Sequence, residues 1–240
     1  MIKKLAITAL LTTTLFSLTL VQQIEFDLVQ SIMPSTKFEK VKQSPIAGIY
    51  EAYTKDNIYY VIPSQRLIFF GHLYTNYGVD LTTSKLQKYQ NDKTQQLLQD
   101  SIKSLKSKTK ENQEYLKSLI DNGIKQGTGT NSKYNIVVLK SLSCPNCTDL
   151  DKYLSGFDGL DGVETYTYLV PSKQSEDFYK KEFNIKDPGQ KLKSQAKLIS
   201  KRLQGFGVPF ALIVNENYNL VDTIQGFNKN KWNEYLGGAK

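Results

Sequence analysis

The chain has 240 residues and only two cysteines, which stand together as Cys144-Pro145-Asn146-Cys147. This pattern removes several folds at once. A small disulfide-stapled scaffold spreads an even number of cysteines along its length, and here neither sulfur has a distant partner. A structural zinc site needs about four ligands, yet no further cysteine exists and the single histidine, His72, lies far upstream. A c-type haem attachment needs histidine directly after the second cysteine, where this chain has Thr148. Two uses remain: a redox-active dithiol, or a bland disulfide closing a tiny loop.

The surroundings favour the dithiol. Ile136-Val137-Val138-Leu139 is a short apolar run suited to a buried strand, and a polar helical stretch follows the cysteines to about residue 154. Cys144 therefore opens a helix, where unpaired N–H groups and the helix dipole favour the thiolate, the nucleophile of disulfide exchange. Pro145 suits the first turn because its missing N–H costs nothing there. Asn146 completes the motif, and Cys147, one turn later and more buried, can attack a mixed disulfide and release the substrate.

The rest of the chain is built in blocks. Lys3 and Lys4 precede an apolar run over 5–21 that carries six hydroxyl residues, so residues 1–22 read as an export signal, cleaved or retained as an anchor. From 38 to about 83, aromatic and β-branched runs (Ile58-Tyr59-Tyr60-Val61-Ile62, Leu67-Ile68-Phe69-Phe70) alternate with turn signals and predict a small sheet. So short a block buries too little to stand comfortably alone and calls for a partner surface, most simply a second copy. From 84 to about 122 there is no Gly or Pro, and the pattern predicts one long helix acting as a semi-rigid stalk. Leu98, Ile102, Leu105, Leu116 and Leu119 follow a four-three spacing, but Thr109 and Asn112 interrupt the seam, so a coiled coil is weakly encoded. Gly123, Gly127, Gly129 and Asn131 end the helix and open a hinge.

From Tyr134 strand and helix alternate: a second strand over 163–170, a helical region over 174–204 broken near Asp187-Pro188-Gly189, a third strand over 209–214, a turn at 215–219, a fourth strand over 220–224 and a closing helix over 229–236. This order is an α/β sandwich. The formal net charge is +8, but only Arg66 and Arg202 are arginine and the lysines are spread evenly, which argues against nucleic acid as a partner. His72 belongs to the N-terminal block and reads as structural or surface rather than as an acid or base.

Gly207-Val208-Pro209-Phe210, opening the third strand, resembles the thioredoxin fold, in which a cis-proline packs beside the Cys-x-x-Cys and the residue before it offers backbone bonds to an extended substrate. Ser44-Pro45-Ile46-Ala47-Gly48-Ile49-Tyr50-Glu51, the strands through Tyr60 and Phe70, and Gly71-His72-Leu73-Tyr74 ahead of Asp80-Leu81-Thr82 resemble the N-terminal dimerisation module of the DsbC/DsbG periplasmic disulfide isomerases. The resemblance implies a fold class: an α/β thioredoxin-like catalytic domain (131–240, with a helical insertion) joined by a long linker helix and hinge (84–130) to a small α+β, cystatin-like dimerisation domain (27–83). It implies a periplasmic, V-shaped homodimer that corrects wrong disulfides in unfolded or misoxidised exported proteins. Cys144 and Cys147 would be catalytic, Val208 and Pro209 would bind substrate, and a DsbD-type membrane electron donor would keep the site reduced, with no metal and no bound cofactor. Val208 stands where DsbC and DsbG carry Thr and resembles the oxidase DsbA instead. An oxidase, and a holdase chaperone with secondary redox activity, therefore stay open beside the isomerase.

Overall fold

The structure, a computed structural model, describes residues 20–126, 133–155 and 163–236. The expected export signal falls almost wholly outside the described residues, and so does the expected hinge beyond residue 126. Among the described residues no helix is long and apolar enough to cross a membrane. The chain divides into two units, the first ending at Asp92 and the second beginning at Lys93.

The first unit starts with a helix, α1, over 20–32. Four strands follow as an antiparallel meander: β1 (Lys40–Gln43), β2 (Tyr50–Tyr53), β3 (Ile58–Ile62) and β4 (Leu67–Phe69). Side chains alternate between the two faces of a strand, and both faces of this sheet are covered. Ala52 and Val61 pack with Val29 of α1 and Phe38. Tyr53, Ile58 and Tyr60 point the other way, onto Leu86 and Tyr89 from the first turns of α2 (Leu81–Lys106). On this second face Glu51 is fully buried. It stands opposite Lys42 in the β1–β2 register, pairs with Lys42 at 3.1 Å and with Lys85 of α2, and accepts a hydrogen bond from the Tyr53 hydroxyl at 2.8 Å. Burial would raise the Glu51 pKa, but the bonds from Lys85, Tyr53 and Lys42 outweigh it and hold the carboxyl below its ordinary value. His72 is exposed and serves the start of α2: its Nδ1 lies 2.6 Å from Asp80, whose carboxylate accepts from the Thr83 N–H at 3.0 Å.

The second unit holds a five-stranded sheet in the order β5-β7-β6-β8-β9, with β5 (Ile124–Gln126), β6 (Tyr134–Lys140), β7 (Val163–Leu169), β8 (Phe210–Asn215) and β9 (Leu220–Gln225). Only β6 and β7 are parallel, joined through α4 (Pro145–Ser155); β5, β8 and β9 run antiparallel to their neighbours. α5 (Lys173–Phe183) and α6 (Pro188–Ser200) lie between β7 and β8, and α7 (Lys229–Leu236) closes the chain. The central parallel pair flanked by an antiparallel hairpin, with helices on both faces, is the thioredoxin-like arrangement. Ile136 and Val138 face Leu150 of α4 and Trp232 of α7, while Val137 and Leu139 face the opposite layer. The β6 run is therefore buried on both sides, and its unbroken apolar sequence follows from that.

One expectation is corrected here. In place of a single helix over 84–122 there are two, α2 ending at Lys106 and α3 running Lys110–Asn122. Thr109 caps α3 by accepting from the Asn112 N–H, and the Asn112 amide donates to the carbonyls of Ser104 and Ser107. Hydroxyl and amide side chains thus offer the backbone an alternative to the helical ladder. Leu98, Ile102, Leu105, Leu116 and Leu119 form no seam for a second helix. They are at most 8% exposed and pack with Val137, Leu139, Leu212 and Val214 in the core of the second unit. The end of α3 likewise leads into β5, paired with β7, where the sequence pattern suggested only a hinge.

Candidate redox site

β6, the central strand, ends at Lys140, and the turn 141–143 carries the chain into α4, with the Cys144 N–H donating to Ser141 O at 3.2 Å. Cys144 then takes the capping position. Its carbonyl accepts from the N–H groups of Cys147 (3.0 Å) and Thr148 (3.1 Å), while its sulfur accepts from the Cys147 N–H at 3.2 Å, the bond a Ser or Asp side chain ordinarily makes at an N-cap. The sulfur that would react thus shares the Cys147 N–H of the first helical turn with its own carbonyl.

Both cysteines are free thiols. Cys144 is half-buried and Cys147 is 1% exposed, turned into the protein behind it. Burial first, and the hydrogen bond with Cys144 second, push the Cys147 thiol up to about 12. The two sulfurs therefore have different access to solvent. Pro145 and Asn146, in the first turn of α4, are exposed between them.

The segment before β8 closes the site from the other side. The Val208–Pro209 peptide bond is cis, and the Cys144 thiol donates to Val208 O at 3.3 Å. Pro209 is itself buried, and its carbonyl is held by the Gly226 N–H at 2.8 Å. Residues separated by more than sixty positions, Cys144, Cys147, Val208 and Pro209, are therefore assembled at one end of the sheet. His72 belongs to the other unit. Among the described residues no three His, Cys, Asp or Glu side chains gather as a metal site.

One feature escaped sequence reasoning. Lys140, the last residue of β6, has its side chain 6% exposed and pairs at 2.5 Å with Asp151, which follows Cys147 by one helical turn. A lysine ending an apolar strand was the available signal, but its partner becomes evident only when α4 is folded back over β6. The pair borders a cavity of about 370 Å³ also lined by Gln126, Leu154, Thr165 and Phe178.

Residues 22–83 match the family of the disulfide bond isomerase protein N-terminal domain. Over these residues the match bears out the resemblance to the DsbC/DsbG family, and it starts a few residues ahead of the boundary expected at 27. Among solved structures the chain is similar to StoA from Bacillus subtilis, at 20% identity and a TM-score of 0.32, covering 44% of this chain and 84% of that one. It is also similar to DsbG from Helicobacter pylori, at 15% identity and a TM-score of 0.28, covering 78% of this chain and 98% of that one. No curated protein sequence matches the chain.

Proposed function

We propose that the chain is a thiol:disulfide interchange protein that acts as a disulfide isomerase and reductase on exported polypeptides. The observation that carries this reading is the half-buried Cys144 sulfur, seated on the first turn of α4 against the Val208 carbonyl with Cys147 buried directly behind it. As a thiolate, Cys144 attacks one sulfur of a substrate disulfide. The substrate S–S bond breaks, a Cys144–substrate disulfide forms, and the released substrate sulfur takes up a proton. In isomerisation another substrate thiolate attacks the substrate sulfur of the mixed disulfide, a new substrate S–S bond forms, and Cys144 leaves as the thiolate with no net change in electrons. In reduction Cys147 loses its proton and attacks the Cys144 sulfur, giving a Cys144–Cys147 disulfide and a substrate reduced by two electrons. A membrane donor of the DsbD type would then restore the dithiol.

The buried Cys147 thiol, pushed up to about 12, supports isomerase over simple reductase. Burial, the larger of the two causes, persists in the mixed disulfide, and by disfavouring the thiolate it slows release and gives the mixed disulfide time to rearrange. Val208 favours a second reading, a DsbA-like oxidase. Equilibrating Cys144 and Cys147 with glutathione separates the two, since potentials between about −120 and −270 mV divide oxidants from reductants.

The N-terminal unit fits a cystatin-like dimerisation module, a helix over an antiparallel meander. Leu67, Phe69, Phe70, Tyr74 and Tyr77 are about half exposed or more, which favours a homodimer built on this surface. A periplasmic location follows from the substrate class and from the apolar, lysine-flagged N-terminus. The deciding experiment replaces both cysteines by serine. Reactivation of scrambled ribonuclease should vanish while suppression of aggregation separates an enzyme from a holdase chaperone; undiminished reactivation would overturn the proposal.

A further inference from the structure

The residues beside Cys144 are reached by a segment, 201–208, that leaves α6 and turns back to β8. This segment is tied to the helices α2 and α3 within the second unit. Near its start Arg202 donates from Nη1 to Asn112 Oδ1 at 2.8 Å, pairs with Glu111, and lies with its guanidinium 5.6 Å over the Tyr115 ring. The Tyr115 hydroxyl in turn lies 3.3 Å from the carbonyls of Leu198 and Ile199. Asn112 is 3% exposed and also binds the carbonyls left open at the α2–α3 break, so one side chain joins that break to Arg202. In the middle of the segment Gly205 has φ +73° and lies against the backbone of α2; a Cβ there would stand 2.1 Å from Thr94 O and 3.3 Å from Leu98 N. Downstream, Phe206 stacks on Phe210 at 5.6 Å and Val208 O faces the Cys144 sulfur.

We infer that Gly205 and Arg202 are positioning residues for the disulfide exchange: they seat the segment before Pro209 on α2 and α3 so that the Val208 backbone is held beside Cys144. The inference rests on the function proposed above and adds residues that touch neither sulfur. Glycine is required at 205 for two separate reasons, the left-handed backbone and the absence of room for a side chain. Arginine is required at 202 because its planar fork bonds Asn112 while its face covers Tyr115, which a lysine cannot do together. α2 is anchored by Leu98, Ile102 and Leu105, all at most 8% exposed, so a methyl group at 205 displaces the segment rather than the helix. Relief of the 2.1 Å approach requires a shift of about 1 Å, and misplacement by that amount can cost about 100-fold in rate.

The test uses the full chain with Gly205→Ala and Arg202→Lys, and Glu111→Gln as a control that removes the exposed ion pair but keeps the Asn112 bond. KM and kcat are measured for reduction of a polypeptide disulfide, and the second-order rate is measured with oxidised glutathione, which offers only a tripeptide on either side of its disulfide and so less extended chain to the Val208 backbone. Protection of Cys147 from iodoacetamide reports an intact fold. Gly205→Ala should raise the polypeptide KM by about ten-fold or more, Arg202→Lys by ~3-fold, and Glu111→Gln not at all, with the glutathione rate within about two-fold in each. Should Gly205→Ala fail to fold, Arg202→Lys at a partly exposed site carries the test. An unchanged polypeptide KM overturns the inference, and so does an equal loss on both substrates accompanied by exposure of Cys147, which would mark a merely structural role. Wild-type chain that reduces no polypeptide would sink the proposed function with it, whereas active wild type with unaffected variants sinks the positioning role alone.

Discussion

Replacing Glu51 should destabilise the first unit in a graded and pH-dependent way. The carboxylate has no exposure, and its partners differ in theirs: the Lys42 side chain is 44% exposed, the Lys85 side chain 23%, and Tyr53 only 2%. Removing one member of a fully buried ion pair costs about 3–5 kcal/mol because the other charge is stranded. Here both lysines can turn toward water, which lowers that figure. Glu51→Gln keeps an acceptor for the Tyr53 hydroxyl and forfeits only the charge-assisted bonds, so a loss of about 1–2 kcal/mol is expected. Glu51→Ala also strands the Tyr53 hydroxyl, adding about 1–3 kcal/mol, for a total near 3–4 kcal/mol. The folded pKa lies below the ordinary value of 4.5, so the stabilisation is fully present above that value and is lost as pH falls through the folded one. The gap between wild type and Glu51→Gln should therefore close in acid. Urea unfolding at fixed protein concentration, followed by far-UV circular dichroism, measures both units, while the fluorescence of Trp232, the sole tryptophan, measures the second unit. Equal losses for Gln and Ala, or a gap that persists unchanged at about pH 2.5, would refute the charge-network reasoning.

Three further outcomes are expected. Iodoacetamide near neutral pH should label Cys144 alone in the native chain and both cysteines in concentrated urea, because Cys147 is 1% exposed and its thiol is pushed up to about 12; mass spectrometry finding native label on Cys147 would contradict this. Val208→Thr, nearly equal in size, adds a hydroxyl to the residue whose carbonyl meets the Cys144 sulfur and should shift the ratio of scrambled-ribonuclease reactivation to oxidation of a reduced peptide; an unchanged ratio would show that this side chain does not set direction. Gly123→Ala places a Cβ 2.6 Å from the Cβ of Tyr166, where α3 turns into β5, and should cost about 1–3 kcal/mol in the second unit; a loss under about 0.5 kcal/mol would mean the corner yields freely.

The second unit was legible where sequence and burial carry the same period. The apolar run of β6, the Asp187-Pro188-Gly189 break that becomes the cap and first turn of α6, and the turn at 215–219 all follow from local chemistry. Cys144 and Cys147 follow from their motif, Val208 and Pro209 from the resemblance to the thioredoxin fold, and these four lie together at one end of the sheet. What the sequence concealed depends on long-range packing. Leu98, Ile102 and Leu105 repeat with a period that serves a partner helix or a neighbouring sheet equally well, and only the sheet decides. Thr109 and Asn112 looked like faults in a seam, whereas they cap α3 and hold the break. α1 has no counterpart in the sequence pattern: residues 20–22 fall in the segment that reads as an export signal, and 23–32 carry no expected element. Lys140 and Asp151 are eleven positions apart and meet only across the strand–helix turn.

Both thiols of the chain sit at one end of one helix, and neither crosslinks a strand, a loop or the two halves of a core. A molecule that trades disulfides meets oxidants and reductants in turn, and one whose own walls were stapled by disulfides would risk loosening on each reducing pass or rejoining them wrongly on each oxidising one. This chain has no such liability. Among the described residues the ties that hold each sheet together are apolar contacts, hydrogen bonds and ion pairs, so the scaffold would be indifferent to electrons exchanged at Cys144 and Cys147. With no third thiol in the chain to intercept a half-finished exchange, a mixed disulfide on Cys144 would be left to the substrate's own thiols, to Cys147, or to a thiol from solution.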